Sequence, residues 1–211
     1  GVTTEMLARA MAVDFDAMGA RSRAVAAVLA EGQRARLTCP RGSELTLDLG
    51  GRDGISDDGD LSARGAFGNL PCGEGFIAPL GGEGEVVASS LASLGLSDEP
   101  AILTVADGRI RAAERGLGPA YLERLQAQGE LGTNLAELGV GTNDRAWLTG
   151  SMLEDEKIRG TAHVAFGASA GIGGTVSVPI HLDVVVVDAT LTVDDRPVLD
   201  EGRYVLDQAG R

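Results

Sequence analysis

A chain of 211 residues is long enough to bury a substantial core, and with aromatics at only 3% against 31 glycines, that core must be built from Ala, Val, Leu and Ile between tight turns. A net charge of −13 without any Lys/Arg patch argues against nucleic acid and anionic membrane as partners, since either requires basic groups that displace counterions. Cys39 and Cys72 are too few for a disulfide framework and no apolar run nears about eighteen residues, so a cytoplasmic setting is expected.

The chain opens on Thr3-Thr4-Glu5-Met6-Leu7, a capped helix start read without a leader before it. Leu7, Met11, Phe15 and Met18 keep helical spacing, and Val25, Val28 and Leu29 resume it after a break at Gly19, which predicts two helices ending at Glu31-Gly32. From Arg34 the period becomes two. Ala35 to Cys39 and Glu44 to Leu49, separated by Pro40-Arg41-Gly42, read as a hairpin. Gly50 to Gly59 reads as a solvated turn region, because Asp53, Asp57, Asp58 and Asp60 lack the regular series of a calcium loop.

Glu74 enters a short apolar strand through a Pro/Gly turn. Strands follow at Glu85 to Ala88 and Ala101 to Val105, and Asp107-Gly108 makes a tight turn into Arg109-Ile110-Arg111. Pro119 to Gln128 reads as a helix with Leu122 and Leu125 inward. Glu137 is a second isolated carboxylate in an apolar, glycine-rich run, where burial without a partner would cost several kcal/mol and a cation is one remedy. Leu148 to Glu156 reads as a helix leading into Thr161 to Phe166. Gly171-Ile172-Gly173-Gly174 is a turn, with no strand before it and no helix after it to make a phosphate-binding loop. Val176 to Ile180 and Val184 to Val187 are β-branched runs around His181-Leu182-Asp183, and Thr190 to Leu206 closes the chain as a hairpin around an Asp-Asp turn. The expected fold is α+β, with N-terminal helices packed on a bent, largely antiparallel sheet or open barrel, in a single domain over 1–211.

Both histidines of the chain, His163 and His181, sit among carboxylates. On a strand, His181 and Asp183 point to one face, where they are read either as joint ligands of an ion or as a half-buried histidine paired with its neighbour's carboxylate. Glu74, Glu137, His163, His181 and Asp183 together are five N/O donors without thiolate, a set that suits borderline-to-hard divalent ions such as Zn, Co, Mn or Fe. Glu137 is in addition the candidate catalytic carboxylate of a two-ion hydrolase in which metal-bound water attacks an amide.

Five segments, Gly68-Asn69-Leu70-Pro71-Cys72-Gly73-Glu74, Ala136 to Asn143, Leu153-Glu154-Asp155-Glu156-Lys157, Gly160 to Gly167 and His181-Leu182-Asp183, together resemble the thermophilic metallo-aminopeptidase family of the aminopeptidase T and S type. The resemblance runs from about Met6 to Gly202 and implies a two-metal peptidase site on the same five residues. It also implies an N-terminal α/β domain in longer members, this chain corresponding to their C-terminal catalytic part. Peptidases of that family carry a tyrosine seven residues after the first ligand histidine, where this chain has Ala170. The dihydroxypyridine ring-cleaving dioxygenases resemble the same scaffold, and in that alternative His163, His181 and Asp183 would hold a single ferrous ion. The third alternative is a non-catalytic member of the fold. Expected partners are a peptide or small-molecule substrate and a second copy in a homodimer, with no nucleic acid and no membrane.

Overall fold

The structure, a computed structural model, describes residues 2–66 and 68–206. It is an α+β arrangement in which few helices pack on a large, curled antiparallel sheet that forms a half-barrel. Helix α1 (Thr4–Ala10) starts where the Thr3 side chain accepts a hydrogen bond from the Met6 amide, and α2 (Phe15–Glu31) starts where Asp14 accepts one from Ala17. The break between them therefore lies at Met11 to Asp14 and not at Gly19, which is buried within α2. An aspartate cap outweighs the modest helical cost of one glycine.

The sheet begins with the predicted hairpin, β1 (Arg34–Thr38) and β2 (Glu44–Asp48), in which Ala35, Leu37, Leu45 and Leu47 face the core. The expected turn region contains a strand, β3 (Gly54–Asp57), which pairs with β4 (Glu74–Ile77). Its glycine is what lets a helix pack against it. A Cβ at Gly54 would stand 1.9 Å from the Ala26 carbonyl and one at Gly75 would stand 2.6 Å from the Ser22 carbonyl, so bare backbone at both lets α2 lie directly on β3 and β4.

The long strands β5 (Gly81–Leu91) and β6 (Gly95–Ala106) extend well beyond the predicted runs, and β7 (Arg109–Glu114) follows the expected turn, with Asp107 and Gly108 both at positive φ. Helix α3 (Gly118–Gln126) buries Tyr121 and Leu125, and Tyr121 stacks edge-on against Phe166. Then come β8 (Leu135–Gly141), a single helical turn α4 (Met152–Asp155), β9 (Ala162–Gly167) and β10 (His181–Val186). The helix expected from Leu148 is thus only its last turn, and Val176 to Ile180 is irregular chain. Around the Asp194-Asp195 turn, β11 (Thr190–Val193) pairs with β12 (Arg196–Asp200), whereas Tyr204 belongs to a further short strand, β13 (Arg203–Tyr204).

Strand order through the sheet is β13-β12-β11-β1-β2-β5-β10-β9-β8-β4-β3, with β6 and β7 continuing from β5. One continuous apolar cluster, including Leu37, Leu47, Leu103, Val164, Phe166 and Val184, runs along one face of it. Among the described residues no helix is long and apolar enough to cross a membrane.

Candidate metal centre

Four consecutive strands of that order, β10-β9-β8-β4, carry the predicted site residues. Side chains alternate between the faces of a strand. Leu138, Val164, Phe166, Val184 and Val186 turn into the core, so the interleaved Glu137, His163 and Asp183 turn to the opposite face. In register, Glu137 and Asp183 both stand opposite Ala165, whose methyl group leaves the space between the two carboxylates open. Gly139 stands opposite His163, and a Cβ there would lie 2.0 Å from the ring nitrogen Nε2, so the imidazole rests against bare backbone.

All five predicted residues converge. His163 Nε2 lies 3.2 Å from Glu74 Oε2 and 3.2 Å from Glu137 Oε1, while His181 Nε2 lies 3.3 Å from Glu137 Oε2 and 3.6 Å from Asp183 Oδ1. They form two groups, Glu74–Glu137–His163 and Glu137–His181–Asp183, whose donor atoms lie within 4.8 Å of one another. Glu137 is common to both. The His163–His181–Asp183 triad is therefore divided by a carboxylate that reaches each imidazole. His181 Nδ1 donates to the Ala168 carbonyl at 2.7 Å, which fixes the ring and leaves Nε2 as its site-facing atom.

The residues lie at different depths. His163 is wholly buried and Glu74, Glu137 and Asp183 nearly so, whereas the His181 side chain retains 31% exposure and marks the open side. Burial opposes charge on Glu137, but hydrogen bonds from His163 and His181 outweigh it and hold its carboxyl down to about 2. For His181 burial likewise works against the charged form, and Asp183 with Glu137 overrides it, pushing the imidazole up to about 12. Glu74 is held below the usual range against burial, mainly by Lys157.

Three participants escaped the sequence reading: Asp57, Glu156 and Lys157. The Lys157 side chain is fully buried. Its ammonium donates to Glu74 Oε1 and to Glu156 Oε1 at 2.7 Å, and stands 3.6 Å from Asp57 Oδ2. Burial pushes the Asp57 carboxyl up to about 6 and that of Glu156 up to about 8, although Lys157 pulls both down. A run such as Glu154-Asp155-Glu156-Lys157 ordinarily marks a solvated surface, so its burial had no local signal beyond its place in the family-like segment. A cavity of about 320 Å³ opens beside the cluster, lined by Asp57, Asn69, Phe76, Glu137, Glu156, Ile172, His181 and Asp183.

These residues fit a divalent ion. The donors are imidazole and carboxylate, and Glu74 Oε2 is buried without a hydrogen-bond partner although it faces the cluster.

Residues 3–206 match the family model NicX, described as 2,5-dihydroxypyridine 5,6-dioxygenase. No curated protein matches the chain. Among solved structures, 2,5-dihydroxypyridine dioxygenase from Pseudomonas putida KT2440 superposes with a TM-score of 0.82 at 22% identity, over 98% of this chain and 64% of that one. Wild-type AmpT from Thermus thermophilus superposes with a TM-score of 0.71 at 24% identity, over 94% of this chain and 57% of that one. The chain thus spans less than two thirds of either protein, and at these identities both likenesses show the fold. The family match corrects the expected aminopeptidase, metallopeptidase and hydrolase assignment: the five segments that suggested it are shared scaffold, and the sequence as a whole matches the dioxygenase family. A dioxygenase of this family implies a divalent metal such as iron, and the cluster supplies groups able to bind one.

Proposed function

Because this chain belongs to the 2,5-dihydroxypyridine 5,6-dioxygenase family, we propose that it holds one iron(II) ion within the cluster of Glu74, Glu137, His163, His181 and Asp183 and opens a hydroxylated nitrogen heteroaromatic ring with dioxygen. The observation that supports this reading is the convergence of both histidines and Asp183 on Glu137 at the wall of a cavity sized for a small molecule. Two imidazoles with a carboxylate are a donor set characteristic of non-haem iron oxygenases, and this cluster contains that set with further carboxylates beside it. Bound iron(II) would supply the redox chemistry that joins dioxygen to the ring, both oxygen atoms remaining in the opened product.

The chain's own side chains account for the rest. Phe76 and Ile172 offer apolar surface to a flat ring, while Asn69 can hydrogen-bond a ring hydroxyl and the nearby Glu156 and Asp57 can accept from a hydroxyl or a ring N–H. His181, on the open side, is the ligand a substrate passes on entry. The nearly dry floor formed by Glu74, Glu137 and His163 strengthens every electrostatic contact made there.

The test is anaerobic reconstitution of the purified protein with iron(II), followed by 2,5-dihydroxypyridine and air, with oxygen uptake and ring absorbance recorded together. One dioxygen consumed per ring lost is expected. A protein that binds iron(II) but consumes no oxygen with any dihydroxylated pyridine would defeat the reading.

A further inference from the structure

Lys157 has no place in the ligand set, yet it is the only Lys or Arg whose side chain is wholly buried among the described ion pairs. Its backbone is pinned on both sides: its amide donates to the Glu154 carbonyl at 3.0 Å, and its carbonyl accepts from the Asn143 amide at 2.9 Å. The side chain then reaches the far oxygen of Glu74. Burying an ammonium is costly unless it is fully paired, and here two carboxylates receive it at hydrogen-bond distance with a third 3.6 Å away.

We propose that Lys157 is the positioning residue of the metal centre: by binding Glu74 Oε1 it presents the other oxygen, Oε2, to the cluster as a single-oxygen ligand, and by binding Glu156 it holds that carboxylate at the cavity wall. The inference rests on the metal reading above. The geometry supporting it is the asymmetry of Glu74. Oε1 is taken by Lys157, whereas Oε2 is buried, has no hydrogen-bond partner and lies 3.2 Å from His163 Nε2. A carboxylate gripped at one oxygen is held against rotation, and the ammonium would compete with an ion for that oxygen's lone pairs, which favours Oε2 as the donor turned to the cluster. Groups that orient a ligand in this way typically govern about 10–100-fold in metal affinity.

Cobalt(II) is the probe, because its visible bands report coordination as well as occupancy. Metal-stripped wild type, Lys157→Met, Lys157→Arg and Glu74→Gln are titrated with it. Lys157→Met should weaken binding about 10–100-fold and shift the bands toward those of Glu74→Gln, and Lys157→Arg, which keeps the charge, should recover part of both. Since Lys157→Met leaves buried carboxyl groups unpaired, the comparison is repeated in Glu156→Gln/Lys157→Met, from which one of those groups is gone; the same loss and band shift are expected. Wild-type affinity in either folded variant, or weaker binding with wild-type bands, would overturn the inference while leaving the metal centre standing. A wild-type protein that binds no cobalt or iron would instead remove the metal reading itself.

Discussion

Arg9 on the first helix donates from Nη2 to both carboxylate oxygens of Glu154, at 2.7 and 2.9 Å, across 145 positions of sequence. Glu154 is fully buried and also accepts from the Trp147 amide, while its neighbour Asp155 accepts from Thr149, Gly150 and Ser90. Together they lock the turn that delivers Glu156 to the cavity wall and Lys157 to Glu74, so the first helix steadies the cluster without touching it.

Replacing Arg9 by Met should therefore cost about 3–5 kcal/mol, because it strands a buried carboxylate. In thermal unfolding followed by circular dichroism this corresponds to a fall on the order of 10 °C for a chain of this size. The double variant Arg9→Met/Glu154→Gln should recover much of the loss. A melt for Arg9→Met indistinguishable from wild type would show the pair to be incidental.

Gly139→Ala should displace the His163 imidazole, since the new methyl would stand 2.0 Å from Nε2. Metal affinity is expected to drop at least about tenfold while the protein still melts cooperatively. Gly171→Ala, where nothing lies within 4 Å, is the control and should bind metal as wild type does. Equal affinities in the two variants would mean that His163 is not a ligand.

Phe76→Ala removes the largest apolar side chain lining the cavity. If a ring substrate lies against it, kcat/KM for ring opening should fall by roughly 10–100-fold, equivalent to about 1–3 kcal/mol, with metal affinity unchanged. Steady-state kinetics on the iron-loaded protein checks this. An unaffected kcat/KM would place the ring elsewhere.

Burial, with the nearby Asp57 charge adding to it, pushes the Cys72 thiol up to about 11. In a Cys39→Ser variant the remaining thiol should resist a disulfide reagent at pH 8 and react progressively as pH nears 11, because only the thiolate attacks. The sign for stability follows: below the unfolded thiol's value near 9 both states are protonated, and above it the unfolded state loses its proton first, so this group destabilises the fold only as pH rises past 9. Full reaction of the folded variant at pH 8 would contradict the assigned burial.

Much of this was legible in the residues. Helix starts at Thr3, hairpins at Pro40-Arg41-Gly42 and Asp107-Gly108, and the β-branched runs after Asp183 are local signals, and capping, turn chemistry and alternation act over a few residues. The five clustered residues were also readable, because histidine and isolated carboxylate in apolar surroundings need a partner wherever the chain takes them. What the linear pattern did not contain was proximity. Gly54 reads as a turn until α2 lies on it, and Glu156 and Lys157 read as a charged surface until β4 brings Glu74 beside them. Nor could ligand chemistry separate hydrolysis from oxygenation, since both use imidazole and carboxylate on one scaffold; the whole-chain match decided the family. Local spacing determines which atoms can bind. Which of them come together, and which buried cation lies beside them, depends on strand order, and that is settled only when distant strands pair.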